Sequence, residues 1–163
     1  MFARHFIDSL DFARYGRELH GEVPATEMPR LQDMLVAPQG VFSYAVHGLL
    51  DKSGRPMLEV EVEGSCRLRC QRCLAELTYP VKLVSHLLLV AEAELDELSD
   101  EDDDTDSIVA SPRLDVLNML EEEILLSLPF APMHAEGDCQ AGAEKLDRTA
   151  SNPFAVLAGL KKK

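Results

Sequence analysis

The chain has 163 residues, 46% of them hydrophobic and 28% charged, which fits one domain able to bury a core of its own. No apolar run approaches the roughly twenty residues of a membrane span, and the first residues lack the apolar stretch and cleavage site of a secretory signal. The net charge of −13 is concentrated: residues 92–106 hold ten acidic side chains and no basic ones, leaving only −3 on the rest, a poor balance for binding bare phosphate backbones.

Arg4, Arg14 and Arg17 could belong to a mitochondrial presequence, but Asp8, Asp11 and Glu18 argue against it. The cytoplasm is therefore the expected compartment, and the four cysteines are expected to be reduced.

The N-terminal third reads as mixed structure. A short strand is predicted within residues 2–7, then a helix capped by Ser9 and running through Phe12, Tyr15 and Leu19. A second short helix is predicted over 27–35. The middle reads as β-structure. Residues 41–49 alternate in part, and Asp51 to Gly54 supply a turn. Residues 57–63 alternate strictly, with Leu58, Val60 and Val62 on one face and Glu59, Glu61 and Glu63 on the other. Residues 77–91 are apolar enough for a more buried strand.

The acidic stretch 92–107 predicts a flexible, solvated loop, because self-repulsion meets few apolar side chains there. Ser111 and Pro112 then open the longest predicted helix, over 112–128. Val116, Leu117, Leu120, Ile124 and Leu128 lie at helical spacing, Glu121, Glu122 and Glu123 at the opposite edge, and Pro129 stops it. Residues 141–151 read as a linker. The terminal 152–163 is apolar again, with Asn152 and Pro153 as a turn or helix start. Phe154, Leu157 and Leu160 fall on one helical face ahead of three lysines, a pattern that suits a partner groove or docking on the chain's own body. The whole is an α+β fold: one domain over 1–140 with an antiparallel multi-stranded sheet that could curl towards a barrel, packed by the long helix and carrying a Cys-rich turn.

Chemistry concentrates at that turn. Cys70 and Cys73 form a Cys-x-x-Cys pair at the junction of two strands, and His134 with Cys139 follows the long helix. Together they could make a closed Cys3His site for structural zinc. Cys66 is an alternative ligand, plain structural thiols are the other main reading, and a redox pair is a third. Arg67, Arg69 and Arg72 are the densest basic spot of the body. They are candidates for RNA contact, against the blander reading of a solvated hairpin tip pairing with nearby glutamates. His5, His20, His47 and His86 have no partners at motif spacing. No Gly-rich phosphate loop, serine nucleophile motif or paired-carboxylate constellation is visible, so no enzyme and no small-molecule substrate are expected.

The Cys70, Gln71, Arg72, Cys73 and Leu74 turn, the run from Leu128 through Pro129 and Phe130 to His134, Cys139, and the terminal block from Asn152 to Lys161 resemble the YceD family of bacterial large ribosomal RNA subunit accumulation proteins. The resemblance implies a non-enzymatic ribosome-biogenesis factor supporting synthesis, processing or accumulation of 23S ribosomal RNA. Its partners would be precursor large-subunit RNA or associated ribosome-assembly proteins. It also implies that Cys70, Cys73, His134 and Cys139 occupy the family's Cys/His positions; Cys66 falls outside that pattern. The alternative from another class is a zinc-dependent redox-regulated chaperone or thiol switch. A third reading makes residues 92–106 a mimic of a phosphate run.

Overall fold

The computed structural model describes residues 4–95 and 105–139. Its centre is a five-stranded sheet in the order β2 (Glu18–Pro24), β3 (Val41–Leu50), β4 (Pro56–Arg69), β5 (Glu76–Val90) and β6 (Asp106–Val109). Every pairing is antiparallel except β5 with β6, which is parallel. Among the described residues the sheet stays open at both edges and does not close into a barrel. A separate two-stranded ribbon joins β1 (Phe6–Ile7) to β7 (Leu114–Asp115).

One sheet face makes the core. Even-numbered residues of β4 point inward: Leu58, Val60, Val62, Cys66 and Leu68 are all buried. Phe42, Tyr44 and Val46 of β3 and Val81, Leu87 and Leu89 of β5 join them. The helices α1 (Ser9–Arg14), α2 (Pro29–Gln32) and α4 (Val116–Ser127) cover this face with Phe12, Leu31, Val116, Leu120 and Ile124. Residue 48 must be glycine for α1 to lie so close, because a Cβ there would collide with the carbonyl of Phe12. The other face meets solvent. Its cross-strand neighbours are charge-matched where Glu63 faces Lys82, and His86 Nε2 lies 2.8 Å from the Glu59 carboxylate.

Several local expectations shift. The first helix begins at Ser9 but is capped by Asp8, whose carboxylate accepts from the Asp11 N–H, and it ends before Tyr15; Leu19 lies in β2. The long helix starts at Val116 rather than 112. Asp115 accepts from the N–H groups of Leu117 and Asn118, while the Ser111 hydroxyl accepts from Arg113 in a preceding turn. The predicted helix over 27–35 is a 3-10 turn (Ala25–Glu27) followed by α2. Within the acidic stretch, a single helical turn, α3 (Glu92–Leu95), opens the segment and β6 closes it, so 92–107 is not loop throughout. Residues 96–104, the linker 141–151 and the terminal block 152–163 lie outside the described residues.

The glutamates of α4 do not all form a wet edge. Glu121 is buried, and its carboxylate accepts from the N–H groups of Arg30 and Leu31 at 2.7 and 3.1 Å, capping the start of α2. The Arg30 guanidinium closes the pair at 3.0 Å. A buried carboxylate is tolerable here because its charge and lone pairs are satisfied.

A candidate metal centre

β4 and β5 are joined by a six-residue tip, residues 70–75, in which the chain folds over Cys70. The Cys70 N–H donates to the Ala75 carbonyl at 2.9 Å, and the Leu74 N–H donates to the Cys70 carbonyl at 2.8 Å. Leu74 adopts a left-handed φ of 63°, the turn that lets Cys70 and Cys73 converge. A second segment follows α4. Pro129 ends the helical pattern, and the Pro132 carbonyl accepts from the Gln71 N–H at 2.8 Å, tying this segment to the tip. The Arg72 guanidinium donates to the His134 carbonyl at 2.8 Å. A turn at Gly137, with φ 93°, returns the chain so that Cys139 faces the same point.

The result brings four ligand atoms, from Cys70, Cys73, His134 and Cys139, within 4.8 Å of one another. Cys70 and Cys139 sulfurs are 3.7 Å apart, Cys73 Sγ is 3.3 Å from His134 Nδ1, and Cys139 Sγ is 3.7 Å from the same nitrogen. Tetrahedral zinc with ordinary bond lengths sets edges of about 3.8 Å between sulfurs and about 3.5 Å between sulfur and nitrogen. The donor set and its spacing therefore fit a metal ion.

The histidine is also held in the right tautomer. His134 Nε2 lies 3.0 Å from the Glu76 carbonyl, which can only accept, so the proton sits on Nε2 and Nδ1 offers its lone pair to the sulfurs. The Glu76 carbonyl had no sequence signal, because its role belongs to the backbone.

The thiols differ by surroundings. Burial pushes the Cys70 thiol up, but N–H groups of Cys73, His134 and Arg72 outweigh it and bring it down to about 5. Cys139 is raised, first by burial and then by its hydrogen bonds to Cys70 and Cys73. Cys66 stands apart: it faces the core from β4, with burial pushing its thiol up to about 11. Among the described residues, the group able to share a metal ion does not include it.

The three arginines have local occupations. Arg67 pairs with Glu76 at 2.8 Å across the hairpin, Arg72 holds the His134 carbonyl, and Arg69 is exposed beside Gln71 and Phe130 at a small cleft. Asn152, Pro153, Phe154, Leu157 and Leu160 fall outside the described residues. Among those residues no helix is long and apolar enough to cross a membrane.

No solved structure gives a significant match. A relative from Haemophilus influenzae, described as large ribosomal RNA subunit accumulation protein YceD, is 26% identical over 168 aligned residues, covering 96% of this chain and 95% of the relative. Residues 58–161 match the family described as large ribosomal RNA subunit accumulation protein YceD, a span that takes in β4 from Leu58 onward, β5, α4, all four candidate ligands and the terminal block as far as Lys161. The chain belongs to the YceD family.

Proposed function

We propose that this protein is a cytoplasmic, non-enzymatic ribosome-biogenesis factor that supports the synthesis, processing or accumulation of 23S ribosomal RNA. The observation that carries this reading is the family match across residues 58–161, supported by a full-length relative whose description names large ribosomal RNA subunit accumulation. In this reading the Cys3His group holds structural zinc and braces the sheet against the segment after α4. A closed four-ligand site leaves no position for substrate, which favours a brace over catalysis.

The body, residues 1–140, would present a surface, and Phe154, Leu157 and Leu160 of the 152–163 block would anchor a partner through the 141–151 linker. Precursor large-subunit RNA or its assembly proteins are the partners this supports. Deleting residues 152–163 is expected to abolish support of 23S ribosomal RNA accumulation in cells that lack the native gene, while the purified protein melts at nearly the same temperature. Normal ribosomal RNA levels with the truncated chain would refute the anchoring role. Pull-down at rising salt, with and without RNase, then separates contact through RNA from contact through protein.

A further inference from the structure

A groove of about 330 Å³ lies between α4 and β6, whose outer edge is unpaired among the described residues. Its apolar lining comes from Leu87, Ile108, Leu114, Met119 and Leu126, the last 73% exposed despite its size. Its polar lining is mostly acidic, Asp106, Asp115, Glu122 and Glu123 beside Ser107 and Asn118, with no lysine or arginine among the lining residues, though the Arg30 guanidinium reaches the Asn118 side chain at 3.1 Å. Of these carboxylates Asp115 is paired, by Arg4 at 3.2 Å. Glu123 is buried to 8% exposure, and the charged groups acting on it are two more carboxylates, Asp106 and Glu122; its polar neighbour is the Ser85 hydroxyl.

Glu123 is buried beside the exposed Asp106 and Glu122, and a cation brought to these like charges would relieve their mutual repulsion. A shared metal ion does not answer the need. Among the described residues, the donors close enough to share one are Cys70, Cys73, His134 and Cys139. Phosphate is excluded by the sign of the lining carboxylates. What complements the groove is a segment bearing ammonium or guanidinium groups between apolar side chains. β6 also offers an edge unpaired by any strand of the described residues, along which an extended segment can add its own backbone hydrogen bonds.

We propose that the α4–β6 groove is a docking site for a lysine- or arginine-bearing, apolar-interleaved segment of a partner protein. The segment lies along β6, sets its apolar side chains against Ile108, Met119 and Leu126, and carries its cations to Asp106, Glu122 and Glu123.

The test uses the full chain and a fluorescein-labelled synthetic peptide alternating lysine and valine, read by fluorescence anisotropy. A peptide alternating lysine and serine, of equal charge, is the control. Binding is expected to be saturable, with the lysine–serine peptide weaker by about tenfold or more. The double variant Leu126→Ser with Glu122→Gln, both exposed positions, is expected to weaken the lysine–valine peptide by about tenfold while its melting temperature stays near the parent's. Unchanged affinity in that variant overturns the proposal, as does loss of binding on neutralising residues 96–104 alone. A large gain in affinity on deleting residues 152–163 would assign the groove to the chain's own terminal block. A dimer that the double variant dissolves would assign it to a second copy. Displacement of the peptide by a short RNA bound at the groove would overturn the charge argument itself.

Discussion

At one end of the long β4–β5 hairpin, Leu58, Val60 and Leu87 are sealed beneath α4, whose Val116, Leu120 and Ile124 are almost wholly buried. At the other end, the same two strands run out into a tip where the large apolar side chains Leu74, Phe130 and Met133 face solvent. The first end is held by area removed from water. The second has little such area to remove, and what converges there is three sulfurs, one imidazole and a few backbone hydrogen bonds. A strand pair can thus be fastened by apolar burial along most of its length and by ligand chemistry where the helix cover runs out.

Breaking the buried core, midway along the hairpin where Phe42 lies opposite Gly64, should unfold the whole domain. Phe42 is a large side chain at 0% exposure, set where β3 crosses the core. Phe42→Ala is expected to cost about 3–5 kcal/mol, read as a drop of roughly 10 °C in melting temperature. Calorimetry should show a single transition, and a two-step melt would mean that the hairpin's two ends are not one cooperative unit.

Breaking the tip should be local. Cys73→Ser removes a thiolate ligand, and bound zinc is expected to fall from about one per chain to near none. Amide exchange should then accelerate by about a hundredfold at residues 70–76 and 129–139, while the amides of β3 and central β4 keep their protection. Cys66→Ala sharpens the comparison. It should leave zinc content unchanged and cost about 1 kcal/mol from a small cavity. Zinc lost in Cys66→Ala but retained in Cys73→Ser would invert the assignment of the two thiols.

How far the sequence could be read follows the same division. Strict alternation at Leu58, Val60 and Val62 foretold the inward face of β4, because a period of two is enforced by the pleat. The same parity carried on through Cys66 and Leu68 would have placed Cys66 in the core; Gly64, Ser65 and Arg67 blurred the pattern. The Cys and His spacing brought the four donors into view, since a Cys-x-x-Cys turn is half of a metal site and His134 with Cys139 offered a second half. Other features left weaker traces. β2 mixes Glu18, His20 and Glu22 with small residues and takes its place by pairing with β3 over Val23↔Phe42. β6 is four residues at the end of an acidic run, and pairing with β5 outweighs its poor composition. Glu121 looked like surface because helical periodicity reports which face is polar, not which polar group will be needed to cap a distant helix.

The smallest expected effect lies with Glu123, on the covered side of the comparison. Burial raises its carboxyl above the usual range, with Asp106 and Glu122 adding repulsion and the Ser85 hydroxyl partly opposing. A carboxyl that holds its proton more tightly folded than unfolded binds more protons in the native state through the interval between those two values. Stability contributed by the protonated form is therefore full below the unfolded value and is lost as pH rises through the folded one. Glu123→Gln keeps the shape and removes the titration. It should raise stability at neutral pH by about 0.5 kcal/mol or less, and leave it unchanged at acidic pH, where the parent is already neutral. Denaturant melts of parent and variant across that range should converge as pH falls. Curves that instead diverge towards acid would show that the Glu123 carboxylate is neutralised by a cation in the free protein, and that this end of the hairpin also depends on a charged fastening.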